Sequence, residues 1–187
     1  MTVAYQGWPG AYSDAAARAR FGTAETRGYP TFEAAVRAAA SGAARGAVIP
    51  VRNSATGDVA GAAEAVALGL ALGLVREADC VLPIRHALLA RPGVALADVR
   101  VVRSHPQALA QTARWLARHL PAARAEAAED TAGAARDVAV SDARDVAAVA
   151  HASAAARYGL AVLADGIEDA PDNATTFAVL RVEGLRG

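Results

Sequence analysis

The sequence predicts an α/β protein built as two lobes around a cleft, and three features carry that expectation. Short apolar runs alternate with Ala-rich stretches of helical length, and Gly, Pro or Ser marks each change of texture. The run at 80–90 is extended, apolar and interrupted by Pro83, which suits a crossing between lobes better than a central strand. The apolar run 177–180 then brings the chain back behind a polar turn, so that it leaves one lobe, builds a second and returns. The expected lobes are 1–77 with 166–187, and 78–165.

In chain order, residues 3–6 read as a first strand. The loop Gly7-Trp8-Pro9-Gly10 leads to Ser13 or Asp14 as cap of a helix over 15–21, which Gly22 ends. Thr31 opens a second helix running to about Ala40, with Glu33 favourable in its first turn. Residues 46–51 form a strand, 52–58 a polar loop, and 59–68 a third helix. The segments 72–77 and 80–90 are extended. Residues 99–103 form a strand whose end, Ser104-His105-Pro106-Gln107, places Pro at a helix start and predicts a helix over 107–119, stopped by Pro121. A weak strand at 125–128 precedes a helix from Asp130-Thr131 to Val138. The Ala-rich stretch 145–158, closed by Gly159, reads as one helix, with a strand at 161–164 after it.

Composition removes several function classes. Nineteen basic residues balance nineteen acidic ones, giving net charge zero and a pI near 6.9, so there is no electrostatic case for nucleic acid. Cys80 is the single cysteine, which rules out an internal disulfide and argues against a Cys-based metal site. No apolar run reaches membrane-spanning length, and the N-terminus runs straight into a strand without a basic, apolar leader. A soluble cytoplasmic protein without membrane contact is expected. Asn173-Ala174-Thr175 matches a glycosylation sequon, which carries no weight without a secretory signal.

Three junctions, 7–13, 53–57 and 104–107, follow a strand and precede a helix, where free backbone N–H groups and the helix dipole favour an anion. Ser13, Asn53, Ser54, Ser104 and Gln107 add neutral donors, which suits a small carboxylate better than a nucleotide. The Gly-rich loop matches neither a P-loop nor a dinucleotide fingerprint. Taken singly, each Ser or Asn is as well explained by helix capping. His86 and His105 are candidate acid–base groups, although a lone His in a strand or cap is more often structural. Trp8 either lines a pocket or covers the core.

These junctions carry a family pattern. Tyr5-Gln6-Gly7 through Pro9-Gly10-Ala11-Tyr12-Ser13, Pro50 through Asn53-Ser54 to Gly57, Leu82-Pro83-Ile84-Arg85-His86, Ser104-His105-Pro106-Gln107-Ala108-Leu109-Ala110-Gln111, and Asn173 through Thr175 to Phe177 resemble the catalytic domain of prephenate dehydratases. The resemblance runs through essentially the whole chain, in order. It implies a fold like the type II periplasmic binding proteins, an active site between lobes, a homodimer, and cofactor-free, metal-free conversion of prephenate to phenylpyruvate, water and carbon dioxide. The hydroxyl leaves with help from a threonine that maps onto Thr175. Asn53, Ser54, Ser104 and Gln107 hold the substrate in this reading, with Ser13, Arg52, Ala108, Thr176 and Phe177 completing the binding set.

Three positions depart from the pattern: Thr176 replaces arginine, Arg52 replaces the usual glutamate, and Trp8 stands where an acid is frequent. Arg52 then either carries a carboxylate-binding charge moved across the cleft or is an exposed loop arginine. The chain ends at Gly187, which leaves no room for the regulatory ACT domain many relatives carry: it is a stand-alone catalytic unit or a piece of a longer chain. Non-aromatising prephenate decarboxylases, which remove the carboxylate and keep the hydroxyl, are the runner-up. A non-catalytic anion-binding protein is the reading from a different class, and an interaction module the weakest.

Overall fold

A computed structural model describes residues 2–183. Its elements in order are β1 (Val3–Gln6), α1 (Tyr12–Phe21), β2 (Thr26–Tyr29), α2 (Phe32–Ala40), β3 (Gly46–Asn53), β4 (Gly57–Asp58), α3 (Ala62–Ala71), β5 (Leu74–Arg76), β6 (Cys80–Pro83), β7 (Ala87–Ala90), β8 (Val101–Ser104), α4 (Pro106–Gln111), α5 (Ala113–His119), β9 (Arg124–Ala127), α6 (Thr131–Val140), β10 (Val146–Ala150), α7 (Ser153–Tyr158), β11 (Ala161–Asp165) and β12 (Ala174–Val182). The chain forms two compact units: the described residues of Met1–Pro83 with Asp172–Gly187, and Ile84–Pro171. This is the expected two-lobed α/β fold.

Both crossings fall later in the sequence than the expected 77/78 and 165/166, for a physical reason. β6 pairs antiparallel with β12 (Thr175 opposite Leu82, Phe177 opposite Cys80), which ties residues 80–83 to the first unit. On the return, Ile167 N–H donates to His86 O (3.0 Å) and Asp169 N–H to Gln111 O (2.7 Å), which ties that segment to the second unit. Residues 184–187 of the expected first lobe lie outside the described residues.

The first unit holds a mixed sheet in the order β2-β1-β3-β12-β5, with β4 beside the end of β3 and β6 beside the start of β12. β1 is parallel to β2 and β3, while β12 runs antiparallel to β3. Alternation along each strand feeds two cores. Val3, Tyr5, Val48 and Phe177 pack with Ala16 and Ala17 of α1, whereas Ala47, Ile49, Ala178 and Leu180 pack with α2 and α3. β2 was not expected, since Thr-Arg-Gly-Tyr has no apolar run. Gly28 is needed there because a Cβ would fall 2.1 Å from Gly7 O.

The second unit is a sheet in the order β11-β7-β10-β8-β9. Its central strand is the main correction to the sequence reading: 145–158 is β10 followed by α7, not one helix. Val146, Ala148 and Ala150 enter one core, and Ala147 and Val149 the other, so every residue is apolar and no period of two is visible. Pairing on both edges, with β7 and β8, outweighs the helix preference of alanine. The predicted helix 107–119 is likewise broken into α4 and α5, where Thr112 Oγ1 turns back onto Ala108 O (2.9 Å).

Helix starts shift as well. α1 begins at Tyr12 behind Ala11, so Ser13 and Asp14 lie in its first turn and neither is the N-cap. α3 begins at Ala62, later than expected, whereas Thr31 and Asp130 cap α2 and α6 through their side chains as read.

Candidate active site

In the first unit, the carboxyl end of β3 meets the start of β12, with Asn53 directly opposite Thr175 and Arg52 opposite Thr176. The threonines therefore lie in a strand, not in the turn the sequence suggested. Asn53 Oδ1 accepts the backbone N–H groups of Ala55 (3.0 Å) and Thr56 (3.1 Å). Backbone N–H groups only donate, so these bonds fix which way the Asn53 amide faces. Its Nδ2 must then point to Asn173 Oδ1 (2.8 Å) and Thr175 Oγ1 (2.9 Å). Ser54 closes the turn: its N–H donates to Ala174 O (2.8 Å), and its Oγ accepts Ala174 N–H (2.9 Å). Gly57, at φ 84°, lets the chain reverse into β4.

One consequence governs the chemistry. Thr175 Oγ1 is an acceptor toward Asn53, and among the described residues its own proton goes to no acceptor. Thr175 is 8% exposed, so that proton sits in a water-poor place where a donated hydrogen bond is strong.

On the neighbouring β1, the Gly-rich loop leaves the same edge of the sheet, since β1 and β3 are parallel. Asp14 braces that loop: its Oδ2 accepts Gly10 N–H (2.8 Å), and its Oδ1 takes Arg18 Nε (3.0 Å) and Thr26 Oγ1 (2.5 Å). Ser13 is buried beside it in the first turn of α1. Trp8 is half exposed.

Phe177 does not belong to this polar edge. It is 1% exposed and packs among Val3, Tyr5, Ala17 and Val48, so it is a core residue. Arg52 is also set apart. By strand alternation it and Thr176 lie on the sheet face opposite Asn53 and Thr175, and the exposed Arg52 guanidinium pairs with Asp58 (3.2 Å). Of the two readings, this geometry fits the exposed arginine.

In the second unit, Ser104 at the end of β8 is fully buried, and its Oγ donates to Val149 O of β10 (2.6 Å). That hydroxyl stitches two strands together and presents no donor proton to a ligand. Ala108 is packed in the core with Val102 and Val149. Gln107 stays in the first turn of α4, where its N–H donates to His105 Nδ1 (3.2 Å) and makes His105 a cap. His86 is buried, its Nε2 2.8 Å from Gln111 Oε1 and its backbone N–H donating to Glu168 (2.9 Å). Burial pushes the His86 imidazole below its ordinary value, against weaker opposing effects of Gln111 and Glu168.

Two features escaped the sequence reading. Asn173 stood in the motif but not among the expected site residues. His151 and Ser153 form a further strand-to-helix junction, with Ser153 N–H donating to His151 Nδ1 (3.2 Å), hidden by the misread helix. A strand-length apolar run ending in a polar His-Ala-Ser triplet was the available signal. No group of His, Cys, Asp and Glu fit to hold a metal ion occurs among the described residues, and no described helix is long and apolar enough to cross a membrane.

Comparison with known proteins gives a consistent picture. The family described as Prephenate dehydratase matches residues 3–184. "Arogenate dehydratase 5, chloroplastic" of Arabidopsis thaliana is 44% identical over 180 residues, covering 96% of this chain and 42% of its own length. The chain thus spans under half the length of the curated relatives it matches first. Among solved structures, prephenate dehydratase of Arthrobacter aurescens in complex with L-Phe superposes with TM-score 0.87 at 32% identity, over 98% of this chain and 61% of that one. A protein described as a novel type of quorum quenching acylase reaches TM-score 0.89, also at 32% identity, over 100% and 66%. Arg52 and Thr176, the two departures from the family pattern on these strands, stand directly opposite each other in the β3–β12 ladder.

Proposed function

Because this chain belongs to the prephenate dehydratase family, we propose that it catalyses decarboxylative dehydration of prephenate to phenylpyruvate, and that the hydrogen-bond relay from Asn53 to Thr175 drives departure of the ring hydroxyl. Breaking the bond to the ring carboxylate releases carbon dioxide and sends the electron pair through the ring. The ring becomes aromatic as hydroxide leaves the opposite carbon, and a proton taken up overall turns that hydroxide into water. Thr175 is a poor acid in isolation. Its contribution is a preorganised hydrogen bond to the departing oxygen, strengthened because Asn53 Nδ2 donates into the same hydroxyl.

The single observation that carries this reading is the fixed direction of the Asn53–Thr175 bond, which leaves the threonine proton for a ligand. Asn53, Ser54, Ser13 and Gln107 belong to the binding set in this proposal. No cofactor or metal takes part. Homodimer formation completes the proposal on the strength of the family resemblance, and sedimentation tests it.

Arogenate, which carries an amine where prephenate has a ketone, is the second reading, favoured by the names of the relatives at 44% identity. The test is incubation of the protein with each substrate at neutral pH, with products identified by NMR against an enzyme-free control. Phenylpyruvate from prephenate is expected, at a higher kcat/KM than phenylalanine from arogenate. The reverse ratio makes the protein an arogenate dehydratase. A decarboxylated, non-aromatic product that keeps the hydroxyl overturns dehydration.

A further inference from the structure

We propose that Asn173 is a second hydrogen-bond donor to the same departing oxygen, so that a paired hydroxyl and amide, not Thr175 alone, take up its developing charge. This rests on the dehydration reading above. Asn173 is 5% exposed, and its Nδ2 is buried without a hydrogen-bond partner. A buried amide left unpaired is uncommon enough in folded proteins to require an explanation.

Reorienting the side chain does not relieve it. Asn173 Oδ1 receives Asn53 Nδ2 at 2.8 Å and Ser54 Oγ at 3.4 Å, and the Asn53 amide is itself locked by two backbone N–H groups. Exchanging the ends of Asn173 would set one NH2 against another. The fold therefore holds the oxygens of the Asn173 amide and the Thr175 hydroxyl within 2.9 Å of one Asn53 Nδ2, and gives the donor of neither group an acceptor among the described residues. What satisfies both is an acceptor oxygen brought by the ligand. An oxygen gaining negative charge as its bond to carbon breaks is the acceptor these donors favour most.

The decisive variant is Asn173→Asp, which keeps an oxygen facing Asn53 and Ser54 and puts a charged acceptor in place of the donor. With prephenate, kcat is expected to fall roughly 100-fold or more, at least the range for losing one donor to a developing oxyanion, and by more than any rise in KM, while the buried charge lowers the thermal midpoint without unfolding the protein at assay temperature. Unchanged kcat, or a loss confined to KM, overturns the proposal.

A measurement on the unaltered chain guards against misfolding of the variant. Asn53 and Asn173 are the only asparagines in the sequence, so 15N-asparagine labelling yields just two side-chain amide pairs. A ring-saturated prephenate analogue that keeps the hydroxyl cannot aromatise. It is expected to shift one pair strongly, and the same analogue without the hydroxyl is not. Equal responses to both analogues contradict the inference. A protein that turns over neither prephenate nor arogenate removes the underlying reading and this one with it, whereas full turnover by Asn173→Asp removes this one alone.

Discussion

The polar ends of β3 and β8 look alike in sequence but differ in what their side chains have left to give. At the end of β3, Asn53 uses all its capacity internally and so leaves the Thr175 hydroxyl and the Asn173 amide as unengaged donors in buried positions. At the end of β8, the Ser104 proton goes to Val149 O and the His105 ring caps α4, so those groups hold the second unit together. A polar strand end is a reactive site only where its donors lack internal acceptors. Hydrogen-bond direction, more than residue type, separates the two edges.

The comparison breaks most sharply at Asn53. Asn53→Asp keeps an oxygen for the backbone amides of Ala55 and Thr56 but offers an acceptor where Nδ2 had donated. Thr175 and Asn173 then both turn inward onto the new carboxylate. Turnover of prephenate is expected to fall more than about 100-fold while the protein stays folded. Steady-state kinetics beside a thermal melt check this, and turnover within a few-fold of the parent contradicts it.

Ser104→Ala should show the opposite balance. Losing a buried hydrogen bond and leaving Val149 O unpaired costs about 1–3 kcal/mol of stability, readable as a lower urea midpoint. Its effect on kcat is expected to be smaller than that of Asn53→Asp. A catalytic loss of equal size with no loss of stability would move Ser104 back among the substrate donors.

The smallest expected effect is the pH response of the second unit through His86. Its folded imidazole lies below the ordinary 6.5, chiefly through burial, so the unfolded chain binds the proton more readily. The corresponding stability is fully present above pH 6.5 and is lost as pH falls below that value, by at most about 1.4 kcal/mol per pH unit. Urea midpoints at about pH 7.5 and 5.5 measure the slope, which His86→Asn should flatten. An equal slope in the variant assigns the response to other groups.

Much of this was legible in the residues, and what was not has local causes. Strands β1, β3 and β8 and the caps Thr31 and Asp130 followed from apolar runs and short polar side chains. β10 was missed because a strand buried on both faces and made mostly of alanine carries no alternation, and its pairing partners lie far away in sequence. The site was half legible. Asn53 and Ser54 stood out in a polar junction after a strand, and Thr175 in a polar turn feeding one, but their convergence depends on the β3–β12 register. Arg52 and Phe177 were grouped with them because composition does not say which face of a strand a residue takes. Only the ladder shows that Arg52 faces away and that Phe177 is core.

The claim that Thr175 acts through its hydroxyl proton is tested most directly by comparing Thr175→Ser with Thr175→Val on prephenate at neutral pH, following phenylpyruvate by NMR. Serine keeps the oxygen that accepts from Asn53 and the proton it passes on, whereas valine keeps the shape and loses both. The expected result is Thr175→Ser within about tenfold of the parent kcat and Thr175→Val lower by roughly 100-fold or more. Equal rates for the two variants would show that shape, not the hydroxyl, is what position 175 supplies, and would contradict the account.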